Sequence, residues 1–192
     1  VEKVPLYYTT LVTIDPSTFN QWYLTSTYID AYNAWNLSTG STNTVVAIID
    51  DAVRLDHQDL VGQIFTNTAE TLNGIDDDGN GYIDDVNGWD AADFDNNPTT
   101  PFGATNSDFT HGTHVAGIAA AKTDDGNGVA STAFNATYMP VKISDDWGNN
   151  LDYGYEAIVY ASLQGADVIN CSWGSTGYSR TADSLISQAM QL

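Results

Sequence analysis

Two side chains stand where chemistry would be expected. Asp50 closes the apolar run Thr44-Val45-Val46-Ala47-Ile48-Ile49, and His111 opens the run His111-Gly112-Thr113-His114-Val115-Ala116-Gly117. A carboxylate that orients an imidazole, and an imidazole that takes a proton from a hydroxyl, are two of the parts of a nucleophilic serine site. The third part cannot be assigned. Ser162, Ser175, Ser179, Ser184 and Ser187 lie in no nucleophile-like motif. A first-turn position has a consequence for His111, because a helix dipole lowers imidazole pKa while a nearby carboxylate raises it. Such opposition suits a base that must be neutral yet basic near neutral pH. His114 and His57 read as structural. Zinc hydrolysis by His111 and His114 is disfavoured, since the two are three apart with Gly112-Thr113 between them, where zinc hydrolases of that kind space histidines four apart around a glutamate.

A second group of residues could hold a cation. In Asp76-Asp77-Asp78-Gly79-Asn80-Gly81-Tyr82-Ile83-Asp84-Asp85, oxygen side chains alternate around a glycine turn. With Asp76 at position one, Asp78, Asn80 and the Tyr82 carbonyl fall where an EF-hand-like loop places its ligands. The twelfth position is Asn87, so Asp84 or Asp85 must close the shell. The expected ion is Ca2+. The loop sits in a stretch, 66–101, dense in Asn, Asp and Gly and without helical period, which needs something to order it.

The elements that must position these residues follow from periodicity. The run 44–49 is short, apolar and β-branched, as in a strand buried on both faces. The stretch 111–121 reads as a helix of small residues able to pack closely on a sheet, capped by Thr110 or Asp108. Apolar runs at 137–143 and 166–171, separated by the amphipathic 153–164, predict a strand-helix-strand unit. Residues 181–192 have helical period again, and weak helical patterning runs through 28–35. Cys171, the single cysteine, reads as a core residue. The order predicts an α/β domain with a mainly parallel sheet, whose sites form at the carboxyl ends of the strands.

Composition bounds the partners. Twenty-five acidic residues against five basic ones give a formal charge of −20 over 192 residues, which argues against nucleic acid and anionic membrane surfaces. No apolar run is long enough to span a bilayer, and Val1 is not followed by a signal-peptide pattern, so any export signal is expected to have been removed.

Taken together, Val46-Ala47-Ile48-Ile49-Asp50, His57-Gln58-Asp59-Leu60, His111-Gly112-Thr113-His114-Val115-Ala116-Gly117 and Val168-Ile169-Asn170-Cys171-Ser172-Trp173-Gly174 resemble the subtilase family of serine proteases. The resemblance covers residues 21–192, behind an N-terminal segment 1–20. It implies a subtilisin-like three-layer α/β sandwich, incomplete in this chain, and a secreted endopeptidase acting on protein or peptide substrates. Asp50 would orient the imidazole and His111 would be the general base and then acid. Ser172, Trp173 and Gly174 would line the primary pocket and pair with substrate backbone, and Trp147, Gly148 and Asn149 would flank the substrate's other side. The oxyanion asparagine and the nucleophilic serine would lie beyond Leu192, and the expected partner is a complementary C-terminal chain carrying the serine. The resemblance also implies calcium in the acidic insertion, and a second site joining Asp59 to Asp124-Asp125-Gly126-Asn127. One departure stands out: Asp51-Ala52 follow the catalytic aspartate, where the family usually has Ser or Thr and then Gly. A Cβ at such a turn is penalised if the backbone needs a left-handed conformation. A calcium-bound structural or binding protein on an inactive subtilase scaffold is the alternative expectation.

Overall fold

A computed structural model describes residues 11–104, 109–146 and 150–191. Two 3-10 turns, Thr18–Asn20 and Trp22–Leu24, lead to α1 (Ala31–Trp35), and β1 (Val45–Asp50), β2 (Trp89–Asp90) and α2 (His111–Ala120) follow. Then come β3 (Thr137–Lys142), α3 (Gly154–Leu163), β4 (Val168–Cys171) and α4 (Arg180–Ala189). The strands form one sheet in the order β2-β3-β1-β4, and every pairing is parallel.

Period-two alternation along β1 builds the layers. Ala47 and Ile49 join Met139 and Val141 beneath Ala157, Ile158, Tyr160 and Ala161 of α3. Val46 and Ile48 point the other way, with Tyr138, against Ala116 and Ala120 of α2. Both faces of β1 are therefore covered, which is why its sequence is apolar without a break. Small residues on the buried stripe of α2, Gly112, Ala116 and Ala120, let the helix lie close to the strand. A third cluster, Leu24, Ala31, Trp35, Ala130 and Phe134, seats the N-terminal turns on the loop after α2.

Cys171 departs from expectation: it is exposed. The far edge of β4 meets no strand among the described residues, so this end of the sheet is open. Val168 is likewise exposed, and α4 has no buried residue.

Candidate active site

The strand ends define one edge of the sheet. Asp50 lies opposite Lys142 on β3, and Ile49 lies opposite Cys171 on β4, so Asp50, Ile143 and Ser172 leave the sheet together. The first turn of α2 approaches the same edge. The approach is tight, because a Cβ on Gly112 would press on the Ala52 carbonyl and come within 2.8 Å of Asp50 Cβ.

Here Asp50 Oδ1 and His111 Nδ1 are 2.8 Å apart. Asp50 is buried, while the His111 side chain stays half exposed. With Nδ1 engaged, Nε2 is the ring nitrogen left to exchange a proton. Burial pushes the Asp50 carboxyl above its ordinary range, and the bonds from His111 and from the Asp51 amide work against that shift. The bond to Asp50 raises His111 above its ordinary value, burial opposes the rise, and the charges of Asp50 and Asp51 add to it. The net direction is upward: the carboxylates outweigh the opposing contributions.

Asp51 explains part of this. Thr110 provides no side-chain cap to α2, contrary to expectation, and Asp108 lies outside the described residues. The cap comes from strand β1's exit instead: Asp51 Oδ1 accepts from the Gly112 amide at 2.7 Å and Oδ2 from the His111 amide at 3.2 Å. Ala52 does not adopt positive φ, so its side chain causes no backbone strain, and it is buried. The departure from Ser/Thr-Gly is accommodated.

On the substrate side, Ser172 Oγ accepts from Asn170 Nδ2, and Ser172 and Gly174 are exposed. The Trp173 ring turns inward. Its indole N–H donates to the Ile49 carbonyl at 2.8 Å, and its six-membered ring covers Gly154 at the start of α3, where no side chain would fit. It is therefore a peg between β4, β1 and α3, and its ring is not free to shape a pocket mouth. Trp147, Gly148 and Asn149 lie outside the described residues. The Cys171 thiol is pushed up to about 11 by partial burial and by Asp50, so it stays protonated at neutral pH.

The acidic loop is ordered largely by its own carboxylates. Asp76 accepts from the Gly79, Asn80 and Gly81 amides, and Asp78 from the Asn80 amide. Glu70, not singled out in the sequence, is buried beneath them and accepts from the amides of Asp77, Asp78 and Asp84. Oxygens of Glu70, Asp76 and Asp78 lie within 4.8 Å of one another and could hold a metal ion. Asp84 is turned elsewhere, to the amides of Asn73 and Gly74. Asp85 is fully buried against Asn67, Asn80 and Gln164. Asn80 Oδ1 is taken by the Tyr82 amide, and the Tyr82 ring packs edge-on against Trp89 and Tyr160. Glu70, and neither Asp84 nor Asp85, is the third carboxylate grouped with Asp76 and Asp78. Glu70 precedes the loop by six residues and reaches it only through the fold, so no spacing in the sequence points to it.

The second acidic site has a buried oxygen without a partner. Asp59 Oδ2 accepts from the Val129 amide, but Oδ1 has no hydrogen-bond partner. Burial raises the Asp59 carboxyl, opposed by the Val129 bond and His57, and nearby Asp125 and Asp15 add to the rise. Asp15, also missed in the sequence, accepts from the amides of Asp124, Asp125 and Gly126. A buried anionic oxygen among further carboxylates fits a hard cation.

A signature described as the subtilase family matches residues 41–192. The chain belongs to that family. This subtilase is 35% identical over 149 residues to thermitase of Thermoactinomyces vulgaris, covering 77% of this chain and 43% of thermitase. It is 35% identical over 197 residues to an extracellular protease of Xanthomonas campestris pv. campestris, covering 92% of this chain and 32% of the relative. Among solved structures, a protease of Pseudoalteromonas arctica superposes with a TM-score of 0.70 at 28% identity, over 94% of this chain and 56% of that one. This subtilase chain thus spans less than half the length of these curated relatives. Its parallel sheet with α2 and α3 on opposite faces is an incomplete subtilisin-like α/β fold, as expected.

Proposed function

We propose that the chain is the aspartate and histidine portion of a secreted, calcium-stabilised serine endopeptidase. The observation that carries this reading is the 2.8 Å contact between Asp50 Oδ1 and His111 Nδ1 at the carboxyl edge of a parallel sheet. The serine and the oxyanion donor come from the complementary C-terminal portion of the fold, which packs beside the open edge of β4. His111 Nε2 takes the serine proton as the serine oxygen attacks the peptide carbonyl, and Asp50 stabilises the imidazolium that results. The imidazolium then gives that proton to the departing amine, and the sequence repeats with water to release the acid. Ser172 to Gly174 pair with the extended substrate backbone. Backbone pairing favours broad tolerance, with a preference for large apolar side chains. Extracellular action is supported by the extracellular protease of Xanthomonas campestris among its relatives, and no helix among the described residues is long and apolar enough to cross a membrane.

Glu70, Asp76 and Asp78, with backbone oxygens of the same loop, would hold one Ca2+, and Asp59 with the 124–127 loop a second. When bound, the ion neutralises carboxylates that the fold draws together.

The test uses the full-length protein with a peptide library and a serine-directed fluorophosphonate. Hydrolysis, labelling of a serine C-terminal to Leu192, and a turnover loss of several orders of magnitude in folded His111→Ala are expected. A folded protein that neither labels nor cleaves would overturn the proteolytic reading. Melting temperature that rises with calcium and falls with chelator would support the ion sites.

A further inference from the structure

We propose that Asp51 is a positioning residue: its carboxylate clamps the first turn of α2 to the end of β1 and so holds His111 against Asp50. The inference rests on the proteolytic reading above and deepens it.

The contacts of Asp51 reach both members of the pair. Its amide donates at 2.8 Å to Asp50 Oδ1, the same oxygen that meets His111 Nδ1. Its own Oδ1 accepts from the Gly112 amide and from the Ala52 amide, and its Oδ2 accepts from the His111 amide. The Asp51 carbonyl is held in turn by the hydroxyl of Ser144, which is buried beyond the end of β3. One residue therefore ties the backbone of the base, the carboxylate that orients it and the adjacent strand exit. Thr110, the residue before the helix, makes no side-chain cap bond that could substitute for it.

The physical consequence is twofold. Amides left open at a helix N-terminus are satisfied by a fixed acceptor, so the first turn cannot fray and carry His111 away from Asp50. A full negative charge at that end also offsets the helix dipole, which would otherwise lower the imidazole pKa. The other ionisable groups around the pair do not duplicate this. Cys171 on β4 is a protonated thiol, Lys142 on β3 gives its ammonium to Asp90, Asp93 and Asp146, and His114 lies one turn along α2.

The experiment compares Asp51→Ala, Asp51→Asn and Asp51→Ser in the full-length protein, measuring kcat, KM and the pH profile of kcat/KM. Asp51→Ala should lower kcat on the order of 10- to 100-fold with KM within about twofold, as expected when a base is misplaced by a fraction of an ångström to an ångström. Asp51→Ser and Asp51→Asn, which retain an acceptor, should recover most of that loss. Asp51→Asn removes the charge, so the ascending limb should move to lower pH by about 0.5 unit. A loss confined to KM would make Asp51 a substrate contact and overturn the proposal, as would full kcat in Asp51→Ala. Should Asp51→Ala fail to fold, Asp51→Asn decides alone through its limb. Should the wild-type protein neither cleave nor label, the His111 ring can still be titrated by NMR in the full chain. A titration unmoved in Asp51→Asn overturns the clamp, whereas a shift to lower pH supports it and leaves only the proteolytic reading at fault.

Discussion

Replacing Glu70 by glutamine should open the acidic loop without disturbing the sheet. The Glu70 carboxylate accepts from three backbone amides: Asp77 at 2.7 Å, Asp78 at 3.0 Å and Asp84 at 3.0 Å. Asp77 and Asp78 share Oε1, whereas Asp84 has Oε2 to itself. A glutamine keeps one acceptor oxygen, so its least costly orientation retains the shared pair and turns its NH2 toward the Asp84 amide. One charge-assisted bond is lost, and two donors then face each other in a buried place. Bonds to charged acceptors contribute about 1.5–3 kcal/mol, so local opening should become easier by about 2–3 kcal/mol. At about 1.4 kcal/mol per tenfold, exchange of the protected amides should accelerate about 30- to 150-fold. Hydrogen exchange followed by mass spectrometry on the full-length protein reads this from peptides covering 70–85, with a peptide covering 137–143 of β3 as the internal control. Chelation of calcium should accelerate the same peptides in the wild type. Unchanged exchange at 70–85 in Glu70→Gln would refute the account of Glu70 as the loop's anchor.

Gly112→Ala places a Cβ against the Ala52 carbonyl and Asp50 Cβ, so α2 must back away from β1; stability should fall by about 1–3 kcal/mol and kcat by about 100-fold, read by melting and steady-state kinetics. Trp173→Phe removes the N–H that holds the Ile49 carbonyl, costing about 1 kcal/mol; KM should rise more than kcat falls as the backbone at 172–174 loosens. Because a general base must be neutral and His111 is raised by its bond to Asp50, the ascending limb of kcat/KM should lie above the ordinary imidazole value of about 6.5. A limb below that value would mean that the Asp50 contact does not persist in solution.

The fold was legible where packing is periodic. Strand 44–49 and helix 111–121 became Val45–Asp50 and His111–Ala120, because apolar alternation and small-residue spacing reflect faces that neighbours cover. Strand β2, only Trp89–Asp90, was not legible: two residues carry no period, and they are a strand because β3 offers a free edge at Val141 and Lys142. Asp50 and His111 could be found from their positions at element ends. Glu70, Asp15 and the clamp by Asp51 could not, because each acts on amides that only folding brings near: Asp15 lies 109 positions from the Asp124 amide it accepts from, and Asp51 lies 61 from Gly112. Cys171 is exposed among the described residues because β4 is the edge strand there. An apolar strand sequence records that a strand is covered, not which of the described residues cover it.

The charge of −20 becomes intelligible once the buried carboxylates are sorted by what meets them. Asp90, Asp93 and Asp146 could be taken for a metal cluster, yet Lys142 Nζ sits among all three. Burial pulls the Lys142 ammonium down, but Asp146 and Asp90 hold it well above its ordinary value, so the chain supplies that site's cation itself. With only five basic residues in the chain, this solution cannot be general. Elsewhere carboxylates are met by backbone amides, at Asp51, Asp15, Asp76 and Glu70, which orders loops that lack regular structure. Amides carry only partial positive charge, so they hold one carboxylate comfortably and a cluster poorly. Among the described residues, Glu70, Asp76 and Asp78 converge with no lysine or arginine paired to them, while Asp59 Oδ1, like Asp50 Oδ2, is buried without a hydrogen-bond partner and Lys122 meets only the neighbouring Asp125. Glu70, Asp76, Asp78 and Asp59 all belong to the segment that connects Asp50 to His111, and Asp59 also holds the Val129 amide of the loop that follows α2. Carboxylate repulsion left uncompensated there falls on the segment that joins the two residues, so a cation held at either position would offset it where no lysine or arginine among the described residues is paired to do so.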